Sequence, residues 1–126
     1  MEVYNKPATK KTPKIIFDPE KGYFEISGIA MPEDTVLFFN PLIKKMREYL
    51  DSTEVPINFF FDIYYFNSLS SKKLYDIFNV IDEFFTNGKE ISVTWNYEED
   101  DECMEDAGFL FKENTKVPFE MIKVTE

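Results

Sequence analysis

Ile57 to Phe66 is the segment that most limits what this chain can become: Ile57, Phe59, Phe61, Ile63 and Tyr65 share one face at period two, and the second face is also partly apolar. A run of this kind belongs to a central strand. It is followed by Asn67-Ser68-Leu69-Ser70-Ser71, and then Leu74, Ile77, Phe78, Ile81, Phe84 and Phe85 recur at helical spacing until Asn87-Gly88. That pattern predicts an amphipathic helix with a conventional terminator. Ile91 to Tyr97 again alternates as a strand.

The rest of the chain fits around this strand-helix-strand unit. Ile15-Ile16-Phe17 and Tyr23-Phe24-Glu25-Ile26 read as strands joined by a hairpin loop, Asp18 to Gly22, that contains Pro19. Thr35, Phe39, Leu42, Met46 and Leu50 mark a helical stripe interrupted by Pro41, which either kinks one helix or opens a second with Asn40 as its cap. Cys103, Met104, Ala107, Leu110 and Phe111 mark a shorter helix, and Lys116 to Val124 an edge strand, because Pro118 cannot donate to a ladder. The expected order is β-β-α-β-α-β-α-β, an α/β domain with a mixed sheet spanning residues 14–126. Residues 1–13, with Lys6, Lys10, Lys11 and two prolines, read as a mobile basic leader with no fold of its own.

Composition excludes several function classes. The net charge of −10 would repel nucleic acid, whose phosphates need a basic face. With no histidine, Ser-His and Cys-His nucleophiles and His-ligated metals are ruled out. No stretch is long and apolar enough to span a membrane, no basic-then-apolar leader opens the chain, and a single cysteine allows no internal disulfide, so the expected compartment is the cytoplasm.

The three hydroxyls between strand and helix are the most informative polar feature. A hydrophobic staple pairs the residue before a helix cap with the fourth residue inside. With Ser70 as the cap the staple is Leu69 with Leu74, whereas a cap at Ser68 would pair Asn67 with Lys72. Ser70 is therefore the expected cap, which leaves the Ser68 hydroxyl free and exposed.

Several separated segments carry a resemblance. Ile26-Ser27-Gly28, Pro32-Glu33-Asp34, Phe38-Phe39-Asn40-Pro41, Tyr65 through Leu74 and Val93 through Met104 resemble, in order, the SiaC family of bacterial regulatory phosphoproteins, over roughly residues 13 to 125. The resemblance implies a fold like the STAS domains of anti-sigma factor antagonists. It implies a non-enzymatic partner-switching protein without a cofactor, phosphorylated by a cognate kinase within a Tyr-Phe-Asn-Thr-Ser-Ser motif and reset by a PP2C-like phosphatase. In the family's best-known case the unphosphorylated form binds and activates a diguanylate cyclase; an anti-sigma factor is the alternative target. Matching the motif places the acceptor at Ser68, where serine replaces threonine, and Leu69 also departs from it; Ser70 and Ser71 are the alternative acceptors. The implied partner surface is Asn67, Ser68, Leu69, Ser70, Ser71 and Lys72.

Glu98 to Glu102, Glu105 and Asp106 form a dense acidic segment. Acids there suit the first turn of a helix, and their spacing lacks the glycine-centred pattern of an EF-hand loop, so no metal is expected. A metal-dependent phosphoester hydrolase using Asp100 and Asp101 is the rival reading, and contact with a basic surface of the kinase or effector is the expected further role. Cys103, among acids that disfavour its thiolate, reads as a packing residue. Asp62 lies within a strand and has no acidic pair beside it, unlike a phospho-accepting aspartate.

Overall fold

The computed structural model describes residues 1–125. Its elements are β1 (Tyr4–Lys6), β2 (Lys14–Asp18), β3 (Tyr23–Ala30), α1 (Thr35–Ser52), β4 (Ile57–Phe66), α2 (Ser68–Thr86), β5 (Ile91–Glu98), α3 (Glu102–Glu113) and β6 (Phe119–Val124). One six-stranded sheet runs in the order β1-β2-β3-β4-β5-β6. The first three strands pair antiparallel and the last four parallel, so the sheet is mixed as expected.

Sequential parallel strands joined by right-handed crossovers place their helices on one side of the sheet, and the core shows this. Tyr49 of α1 meets Phe17 at 5.8 Å between ring centroids, Phe78 of α2 meets Phe61 at 4.8 Å, and Phe111 of α3 meets Trp95 at 5.5 Å. Phe17, Phe59, Phe61, Phe78 and Trp95 are fully buried there. The opposite face, with Glu25, Ser27, Asn58, Phe60, Asp62 and Thr94, carries no helix. β4 is thus central by its pairing, yet covered on one side only.

α3 depends on a glycine. A Cβ on Gly108 would fall 2.5 Å from Trp95 Cδ1 and 2.6 Å from Met121 Cε, so only glycine lets the helix settle this close to the sheet. The indole Nε1 of Trp95 then donates to the Met104 carbonyl at 3.0 Å.

One expectation changes and one open alternative is resolved. Residues 1–13 are not a foldless leader: Tyr4–Lys6 adds an edge strand to β2, giving a β-β-β-α-β-α-β-α-β order. The Tyr4 ring stacks on Phe17 at 5.6 Å, the Tyr49 hydroxyl donates to the Glu2 carbonyl at 2.7 Å, and Lys6 lies 4.5 Å from the centre of the Phe38 ring. Three paired residues are too short a run to show periodicity in sequence. Of the two readings of Pro41, the single helix holds: α1 is capped by Asp34, with Pro41 inside it and Asn40 not a cap. The Leu37 carbonyl that proline leaves without a donor belongs to an exposed residue, where water can serve it.

Candidate functional site at a neutral helix start

The carboxyl ends of parallel β3, β4 and β5 lead into the starts of α1, α2 and α3, so the three helix N-termini gather at one end of the sheet. Each is closed by an Asx side chain. Asp34 Oδ1 accepts from the Leu37 N–H at 3.0 Å, Asn67 Oδ1 from Ser70 N–H at 2.9 Å, and Asp101 Oδ1 from Met104 N–H at 3.1 Å. Only α2 has a neutral cap, and it has no acid in its first turn.

Asn67 being the cap corrects the assignment of that role to Ser70. The reason is packing: Ser70 lies one turn ahead of Leu74 on the apolar stripe, is fully buried, and its Oγ has no hydrogen-bond partner. Extending the stripe backwards by four from Leu74 would have revealed this. Leu69 is 59% exposed and forms no staple. In the folded chain the Ser70 hydroxyl is thus shielded from solvent. Ser68 occupies the first helical position and is exposed, as expected, while Ser71 is half-buried. The exposed Lys72 is one turn from Ser68 on the same helix face.

Other exposed apolar groups surround this start. α1 and α2 run side by side, tied by Lys73 Nζ to Asn40 Oδ1 at 2.8 Å and by the paired Arg47–Glu83 contacts at 2.7 and 3.0 Å. Val36 and Leu37 of α1 therefore stand at the same end as Leu69, and Tyr65 at the end of β4 is 51% exposed. Sequence reasoning missed Val36 and Leu37. The available signal was that both fall off the stripe that explains the rest of α1.

The acidic segment divides by role. Asp101 caps α3, Glu102 and Glu105 sit in its first turn, and Glu105 also accepts from the Tyr97 hydroxyl at 3.1 Å. Among the described residues no group of three or more Asp, Glu or Cys is placed to hold a metal ion. Cys103 is exposed, correcting its reading as a packing residue: it faces away from the Met104–Gly108–Phe111 stripe that meets the sheet. Asp62 sits on the open sheet face, where burial and then the Glu25 charge push its carboxyl above the usual range, partly offset by the Tyr64 hydroxyl. No helix is long and apolar enough to cross a membrane among the described residues.

The chain is a single-sheet α/β domain with an exposed alcohol on a helix start that carries no acidic side chain. The family model described as SiaC family regulatory phosphoprotein matches residues 6–124. The chain belongs to the SiaC family. It is 26% identical over 113 residues, 90% of each chain, to an uncharacterized protein of Pseudomonas aeruginosa strain UCBPP-PA14. It matches a chain in the crystal structure of the diguanylate cyclase SiaD in complex with its activator SiaC, from Pseudomonas aeruginosa. That match has TM-score 0.89 and 25% identity, over 96% of this chain and 99% of the other. For apo-SiaC of the same organism the TM-score is 0.87 at 25% identity, over 97% and 99% of the two chains.

Proposed function

We propose that this chain is a cytoplasmic, non-enzymatic partner-switching protein whose unphosphorylated form binds and regulates a diguanylate cyclase, and whose cognate kinase and PP2C-like phosphatase add and remove a phosphoryl group at Ser68. The observation that carries the reading is the position of Ser68: exposed, at the neutral start of α2, beside exposed Leu69 and Tyr65. The similar SiaC of Pseudomonas aeruginosa supports the choice of effector, since it is the activator of the diguanylate cyclase SiaD.

A phosphoserine adds about −1.5 to −2 charges. At an exposed helix start this is favourable by about 0.3–1 kcal/mol, far too little to refold a domain. Set against a partner surface that had met Leu69, Tyr65 and a neutral hydroxyl, the same dianion costs several kcal/mol. Emptying a complex from about 99% to 1% occupancy takes roughly 5.5 kcal/mol, within reach of one modification. Asn67, Ser71 and Lys72 complete the proposed contact surface; buried Ser70 supports it from beneath.

The test is phosphosite mapping after incubation with the kinase and Mg-ATP, alongside titration of the cyclase. Label on Ser68, lost in Ser68→Ala, and cyclase binding by the unmodified form alone are expected. Label on Ser71, or equal binding by both forms, refutes the reading. Binding to an anti-sigma factor in place of the cyclase would retain the switch and replace its target.

A further inference from the structure

We propose that the free edge of β6 is a second docking site, independent of Ser68, for an extended segment of a partner protein that is apolar at alternate positions and basic at the end beside Val124. β6 pairs only with β5 among the described residues. The carbonyls of Pro118 and Val124 accept from Val93 and Glu99 N–H at 2.8 and 3.0 Å, so the even-numbered residues of β6 turn their backbone groups inward. By alternation, the N–H and C=O groups of Phe119, Met121 and Lys123 point away from the sheet and can receive another strand. The opposite edge is no equivalent: β1 has three residues and is followed at once by Pro7.

The flank above this edge is apolar where a new strand would insert. Gly108 lies directly over Trp95 and Met121, and Phe111 turns to one side, toward Tyr75 of α2 at 4.8 Å. At about 100° per residue, Phe109 projects to the other side, over the outer margin of β6. It is 43% exposed, and Met121 beneath is half-buried. Alternate side chains of an added strand would cover both.

Charge selects the occupant. Glu102, Glu105 and Glu113 lie on the same side of α3 as Phe109, and Glu120 projects from β6, against Lys112 and Lys123. Past the end of the strand, Glu98, Glu99 and Asp100 line a cleft of about 330 Å³ with Val124. A second copy, with net charge −10, would bring like charge to this edge; a segment ending in lysine or arginine would neutralise it.

The probe is a short synthetic peptide with valine at every second position, threonine between and Arg-Lys at one end, compared with the same peptide ending in Glu-Asp. With the full chain, the Arg-Lys peptide should slow amide exchange at Phe119, Met121 and Lys123 and bind at least tenfold tighter than the acidic one, an advantage lost at high salt. Met121→Pro removes an outward donor at an edge position, and Phe109→Ser removes the apolar cover; each should weaken binding at least tenfold. No binding, binding without protection of those amides, no preference between peptides, or full affinity in both variants overturns the proposal. Protection that grows with protein concentration alone would make the occupant a second copy and also overturn it.

Discussion

The starts of α2 and α3 leave the same end of the sheet and are finished in opposite ways. α3 has an aspartate cap and Glu102 and Glu105 in its first turn, whereas α2 has Asn67 as its cap and no acid in its first turn. A helix N-terminus carries roughly half a positive charge. In α3 that charge is already answered by the protein; in α2 it is left open beside an exposed hydroxyl. The difference teaches where a covalent charge can arrive without disturbing the fold, and therefore where its effect must fall on a partner.

The hardest test of that contrast is Ser68→Asp. In titration calorimetry it should weaken cyclase binding by about 3 kcal/mol, roughly a hundredfold. Its thermal midpoint should equal or slightly exceed that of the wild type, since the new carboxylate meets the helix dipole. A fall of many degrees would show that α2 needs a neutral first residue for folding, and the contrast with α3 would fail.

Next in size are the two polar groups under the α2 start. Asn67→Ala removes the acceptor for Ser70 N–H and should cost about 1 kcal/mol. Ser70→Ala removes a buried hydroxyl that has no partner and should stabilise by a similar amount, about 1 kcal/mol, without abolishing phosphorylation at Ser68. Opposite shifts of about 3–5 °C in the melting midpoint are expected. Shifts of the same sign would mean that Ser70 contributes to the cap after all.

These residues also show how far the sequence could be read. The strand and helix of Ile57 to Phe85 were legible because ten apolar-patterned residues and about three patterned helical turns leave a strong period. The exposure of Ser68 was legible too, although by way of the wrong cap. Staple logic favours Leu69 with Leu74; in the structure Ser70 turns into the core as the first residue of the apolar stripe, and Asn67 Oδ1 accepts from its N–H. β1 escaped notice because its stability comes from Tyr4 lying on Phe17 and Tyr49, contacts between residues far apart in the chain. The bare sheet face left a trace in Asn58 and Asp62 on the second face of β4, but Phe60 and Tyr64 beside them made that face read as partly apolar.

A smaller effect tests the other half of the contrast. Glu102→Gln takes a charge from the first turn of α3 and should cost about 0.3–1 kcal/mol at low ionic strength, fading as salt is added. Cyclase binding at the α2 start should not change. If binding weakens along with stability, the acidic start of α3 belongs to the same interface as Ser68.

The smallest effect concerns the strand that feeds α2. Asp62 faces the uncovered side of β4, where burial and the Glu25 charge raise its pKa in the folded state. A carboxyl with a raised folded pKa holds its proton more tightly in the native state than when unfolded, so stability declines as pH rises from the ordinary carboxylate pKa through the raised one. Above that window the penalty is complete, and below it there is none. Asp62→Asn should therefore raise the midpoint at neutral pH and converge with wild type in acid. Because the group is only half-buried, solvent screening holds the gain under about 1 kcal/mol. An equal gain at every pH would trace the effect to packing of the amide. No gain at neutral pH would mean that water already relieves this charge, and that the open face of β4 tolerates acids as readily as the start of α3 does.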